Sequence, residues 1–110
     1  MAYLISDEEI QKAVDYLRDG APLIGQARIN LEKTAAMIKH VEALMFLDST
    51  RSSVDAKKAE VRASPRWIEA CEAHAKAAGE FEMMKAYREA ASAKLSAWQT
   101  VSANFRGIRI

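Results

Sequence analysis

Two histidines, His40 and His74, and a single cysteine, Cys71, are the residues whose chemistry would be most distinctive in this chain. Joined by Glu42 or Glu72, they could supply a mixed nitrogen, sulfur and oxygen ligand set for a transition metal. Their spacing argues against it. A helical metal motif repeats its ligands at i, i+3 or i+4, and His40 has no Asp, Glu, His or Cys at positions 36, 37, 43 or 44. Cys71 does precede His74 by three residues, but a lone Cys-x-x-His pair on an apolar helical face is explained by packing. One cysteine also excludes an internal disulfide.

Nucleophilic catalysis fares no better. It needs an activated Ser or Cys beside a base, and the chain carries neither a nucleophile elbow nor a glycine-rich phosphate loop. Ser6, Ser53 and Ser64 stand where helix caps want them. The sequence therefore reads as a non-enzyme with no cofactor, no metal and no identifiable small-molecule substrate.

Charge offers more. The total is only +1, yet residues 51–66 carry Arg51, Lys57, Lys58, Arg62 and Arg66 against Asp55 and Glu60. Residues 90–110 carry Lys94, Arg106 and Arg109 and no acid, whereas the first 20 residues are acidic. Lys57, Lys58, Arg62, Arg66, Lys94, Arg106 and Arg109 form the candidate patch for nucleic acid or for an acidic protein surface. Trp98, Asn104 and Phe105 lie among the last of these bases, the mixture of rings and charge that single-stranded nucleic acid sites use. Cations near the negative end of a helix dipole explain the same residues without a ligand.

The elements that must carry these groups are helices. Of 110 residues four are glycine and two proline, and half are apolar, enough for one domain over 1–110 with its own core. Ser6 with Glu9 has the form of a capping box, and Ile10, Ala13, Val14 and Leu17 then share a face. Gly20 predicts the end of this short first helix. Pro22 predicts the start of a second, reaching about residue 47, with Ile24, Ala27, Leu31, Thr34, Ile38, Val41 and Met45 in a heptad-like, coiled-coil stripe. Asp48, Ser49 and Thr50 predict a loop over 48–53, and Ser53 caps a brief helix through Ala63. Ser64-Pro65 then opens a long last helix to about Asn104.

On that last helix Trp67, Ala70, His74, Ala77, Phe81, Met84, Ala91, Leu95 and Trp98 keep a three-four spacing. At 1.5 Å per residue it would run for roughly 60 Å, so the expected fold is all-α, an elongated helical hairpin with a short N-terminal helix. Its alanine-rich middle buries little, and Trp67, Phe81, Met84, Leu95 and Trp98 are the candidate self-association seam of a homodimer. No run of about 18 apolar residues is present, and MAYLISDEE lacks the features of a secretion signal. A cytoplasmic protein with no membrane contact is expected.

The closing segment MMKAYREAASAKLSAWQTVSANFRG resembles small alanine-rich helical proteins of tailed phages and prophages. AVDYLRDGAPLIGQARINLEK is similar to their opening, in which a Leu-Arg-Asp helix precedes an alanine-rich one. The resemblance implies an accessory role in phage DNA recombination or replication, near single-strand annealing or exonuclease functions, and transfers no catalytic residue. Binding of a protein or of single-stranded nucleic acid is the corresponding expectation. The alternative is a phage-encoded inhibitor that occupies a host defence or regulatory protein.

Overall fold

The structure, a computed structural model, describes residues 5–108, with side chains to residue 105. Three helices make it up: α1 (Asp7–Asp48), α2 (Val54–Arg62) and α3 (Pro65–Ile108). No strand and no positive-φ residue occurs among the described residues.

Side-chain caps set the helix starts. The Ser6 hydroxyl accepts from Glu9 N at 3.1 Å, Ser53 from Ala56 N at 3.1 Å and Ser64 from Trp67 N at 3.2 Å, each satisfying an amide with no partner in the first turn. Asp7, Glu8 and Glu9 add negative charge at the positive end of α1. The connection before α2 is latched: Ser49 Oγ donates to Glu60 at 2.6 Å and accepts from Arg51 N, while Arg51 reaches the same carboxylate at 3.5 Å.

The expected short first helix is corrected. α1 runs through Gly20 and Pro22 without a stop, so the first and second predicted helices are one helix of 42 residues. Gly20 is not in the left-handed region that a helix-ending glycine uses. Pro22 cannot donate to the Arg18 carbonyl and crowds it, a local cost of about 3 kcal/mol that packing of the flanking turns must offset. The neighbouring Leu17 carbonyl takes a hydrogen bond from Arg88 Nη1 of α3 at 3.0 Å.

The chain divides into two compact units, one drawing on the first 25 residues and those from Glu82 onward, the other comprising Gln26–Phe81. Within the first unit α1 and α3 run antiparallel, and among its described residues the buried apolar ones are Ile10 and Ala13. Within the second they are again antiparallel, Glu42 meeting Trp67 and Thr34 meeting His74. There α2 adds Val61 to a core of Ala27, Val41, Ala70 and Ala77. Inward positions recur every seven residues: Ala27, Thr34 and Val41 on α1, Ala70 and Ala77 on α3. Small residues there let the helices approach closely.

Glycine within α1 is a cost rather than a device. A Cβ at Gly25 would meet nothing within 4 Å, and one at Gly20 would touch only Arg88 Nη1 at 3.8 Å. Gly20→Ala with Gly25→Ala should raise stability by about 1 kcal/mol in denaturant titration, because alanine restricts the unfolded chain. A loss of stability would mean that Gly20 is needed for the helix to pass Pro22.

Candidate interaction surfaces

Of the residues with distinctive chemistry, His74 is the most constrained. Its Nδ1 lies 3.1 Å from Thr34 Oγ1, which is also 2.9 Å from the Asn30 carbonyl and 3.0 Å from that of Leu31. Where the one threonine hydrogen turns back to an α1 carbonyl, His74 Nδ1–H donates to the threonine oxygen; in the other imidazole tautomer the hydroxyl donates to Nδ1. This ties α3 to α1 through a half-buried pair. His40 is exposed and Cys71 is a half-buried free thiol. Among the described residues no group of three His, Cys, Asp or Glu is placed to hold a metal.

The predicted seam residues are half-buried, not outward-facing. Trp67 Nε1 donates to Glu42 at 2.9 Å, an interhelical bond that satisfies the indole. Phe81 lies under Arg28, whose guanidinium carbon is 5.8 Å from the ring centroid. Met84 lines a shallow groove of the first unit, about 260 Å³, with Tyr16, Leu23, Ile24, Met83 and Tyr87. Leu95 and Trp98 are half-buried in that unit too.

What the sequence reading missed is the outer rim of this groove. Leu23 is 61% exposed, Tyr87 59% and Met83 53%, a contiguous set of large apolar side chains. Along the same face Glu9, Lys12 and Lys94 line the adjoining surface with Tyr16 and Tyr87. Their signs are mixed. The spacing of Met83 and Tyr87 by four, and of Tyr16 and Leu23 by seven, was legible, but which helical face stays open depends on the antiparallel pairing.

The basic residues are shared between the units. Lys57, Lys58, Arg62 and Arg66 belong to the second and Lys94 to the first, while the Arg106 side chain and Arg109 lie outside the described residues. Lys57 Nζ sits 5.1 Å from the Phe46 ring centroid, a cation over an aromatic face. Lys58 and Arg62 project from α2 beside Lys39 of α1, over a groove of about 480 Å³ floored by Phe46, Leu47 and Val61.

The chain matches no family model, no curated protein and no solved structure. Among the described residues no helix is long and apolar enough to cross a membrane.

Two polar features of the first unit fix its local geometry. Arg18 donates to Asp19 at 3.0 Å and to Asp15 at 3.1 Å; the hydrogen bond from Arg18 holds the Asp19 carboxyl below its usual range. That contribution is complete above the ordinary carboxylate pKa and is lost as pH falls through the lowered one, and exposure keeps it small. The Arg88 bond to the Leu17 carbonyl is better protected. Arg88→Met should cost about 1 kcal/mol in chemical unfolding, and less in a Pro22→Ala background if the bond compensates for the helix-breaking ring. An equal cost in both backgrounds would separate Arg88 from Pro22.

Proposed function

We propose that this chain is a non-enzymatic accessory protein that self-associates and works by binding a protein or nucleic acid, in phage DNA recombination or replication. The observation that carries self-association is an imbalance among the described residues of the first unit: the buried apolar ones are one isoleucine and one alanine, while Leu23, Met83 and Tyr87 stay more than half exposed. A two-helix layer with so little interior gains burial most directly from a second copy applied to that face. Charge on the face suits the same occupant. Glu9 of one copy can meet Lys94 of another when α1 packs on the partner's α3, and among the described residues neither is engaged in an ion pair within the chain. A nucleic acid would gain little from a surface of mixed sign.

The phage setting rests on the resemblance of the closing segment, and a cytoplasmic location goes with it. The second reading, an inhibitor of a host defence or regulatory protein, is favoured by the apolar groove of the other unit, which suits a protein segment better than a phosphate backbone. Sedimentation equilibrium at micromolar concentration tests self-association: a dimer is expected, and a monomer ends the proposal. Salt-dependent binding of a labelled oligonucleotide would support the recombination reading, whereas a host protein that the immobilised chain inhibits would support the other.

A further inference from the structure

We propose that the groove between the C-terminal part of α1 and α2 is a docking site for an acidic amphipathic helix of a protein partner. The inference deepens the binding reading above by naming the place and the partner chemistry. On α1, Lys39, Ala43 and Leu47 follow one another at i, i+4 and i+8 and face the groove; on α2, Lys58, Val61 and Arg62 form its other wall. From Lys39 to Leu47 the floor extends roughly 12 Å along α1, about two turns of an incoming helix and its i, i+3 or i+4, i+7 anchors. Leu47 is 79% exposed, more than Leu23, Tyr87 or Met83, although it adjoins Phe46. An apolar side chain so placed is left largely uncovered by the described residues.

Charge identifies the occupant. Lys39, Lys58 and Arg62 rim the apolar floor, and among the described residues none of them is in an ion pair, although other surface bases such as Lys12, Arg18, Arg28 and Arg51 are. The one carboxylate in the groove, Glu42, already accepts from Trp67 Nε1. Three cations outside the ion pairs of the described residues, around an apolar floor, complement a helix with leucines on one face and glutamates flanking them. Single-stranded nucleic acid fits less well. The aromatic residue of the floor, Phe46, already carries Lys57 over one face of its ring, and no second ring lines the groove for bases to stack on. The groove is also preformed, since the Ser53 cap and the Ser49, Glu60 and Arg51 latch hold α2 in place, and preorganisation lowers the entropic cost of docking.

The probe is a fluorescein-labelled amphipathic peptide of about five helical turns with leucine at the anchor spacing and glutamate elsewhere, read by anisotropy against the full chain. Its lysine counterpart, an oligothymidylate and anionic phosphatidylglycerol vesicles are run beside it. The acidic peptide should bind saturably and weaken as salt rises, and Lys58→Glu with Arg62→Glu should weaken it at least about tenfold, as should Leu47→Ser. These side chains are exposed, and circular dichroism should report unchanged helix content. Absence of saturable binding, equal binding of the lysine peptide, or indifference to both variants overturns the proposal. So does loss of oligonucleotide or vesicle binding in these variants when the acidic peptide does not bind. Failure here is distinguishable from failure of self-association, because the groove variants leave sedimentation unchanged and changes at Met83 and Tyr87 leave peptide binding unchanged.

Discussion

Tyr87→Glu combined with Met83→Glu should turn a dimer into a monomer, weakening self-association at least about a hundredfold, or roughly 3 kcal/mol. Both side chains are more than half exposed, so the change does not disturb packing within the chain. In a two-fold complex each substitution acts twice, and every copy must then bury two carboxylates beside Leu23 and Tyr16, a desolvation cost that Lys12, Lys94 and Arg88 nearby offset only in part. Sedimentation across a concentration series reads the shift, with Phe105, which is exposed elsewhere in the same unit, changed to Glu as the control. A variant that sediments like the wild type would show that the face lies outside the contact. If the control alone dissociates the protein, self-association is mediated by the end of α3.

That face also marks where sequence reasoning stopped. Much of the secondary structure was legible from single residues: Ser53 and Ser64 cap α2 and α3, Pro65 opens α3, and the polar run after Leu47 interrupts the helix. These signals are local, carried by hydrogen bonds within one turn. Gly20 and Pro22 misled for the same reason. Taken locally they are a stop and a start, but α1 continues across them, with α3 alongside and Arg88 donating to the Leu17 carbonyl. The candidate seam belongs to the next level, that of helix pairing. A three-four stripe finds the apolar side of a helix, and Phe81 and Met84 are indeed half-buried, but Met83 and Tyr87 sit beside the stripe and become a surface only once α1 lies alongside. The Lys39, Lys58 and Arg62 rim was half visible: the basic run named α2, whereas Lys39 is 19 positions earlier than Lys58 and joins it only through the fold.

Ala77→Leu should destabilise the protein by about 2 kcal/mol, a drop in thermal midpoint of roughly 10 °C, whereas Gly79→Ala two residues away should stabilise it by about 0.7 kcal/mol. Both native residues are small and both lie in the alanine-rich part of α3, but for opposite reasons. Ala77 is 7% exposed, seven residues from Ala70 on the inward face, where a leucine has no space unless α1 and α3 move apart. Separating them would also stretch the Thr34 to His74 contact one turn away. Gly79 faces outward, and a Cβ there would meet nothing within 4 Å, so alanine only restricts the unfolded chain. Thermal unfolding of the two variants at one fixed protein concentration separates the cases, since the midpoint of an associating protein shifts with concentration. If Ala77→Leu were neutral, the helices would not be in close approach there and the seven-residue run of small residues would have no packing role. A loss on Gly79→Ala would place a partner surface, most directly a second copy, against that side of α3.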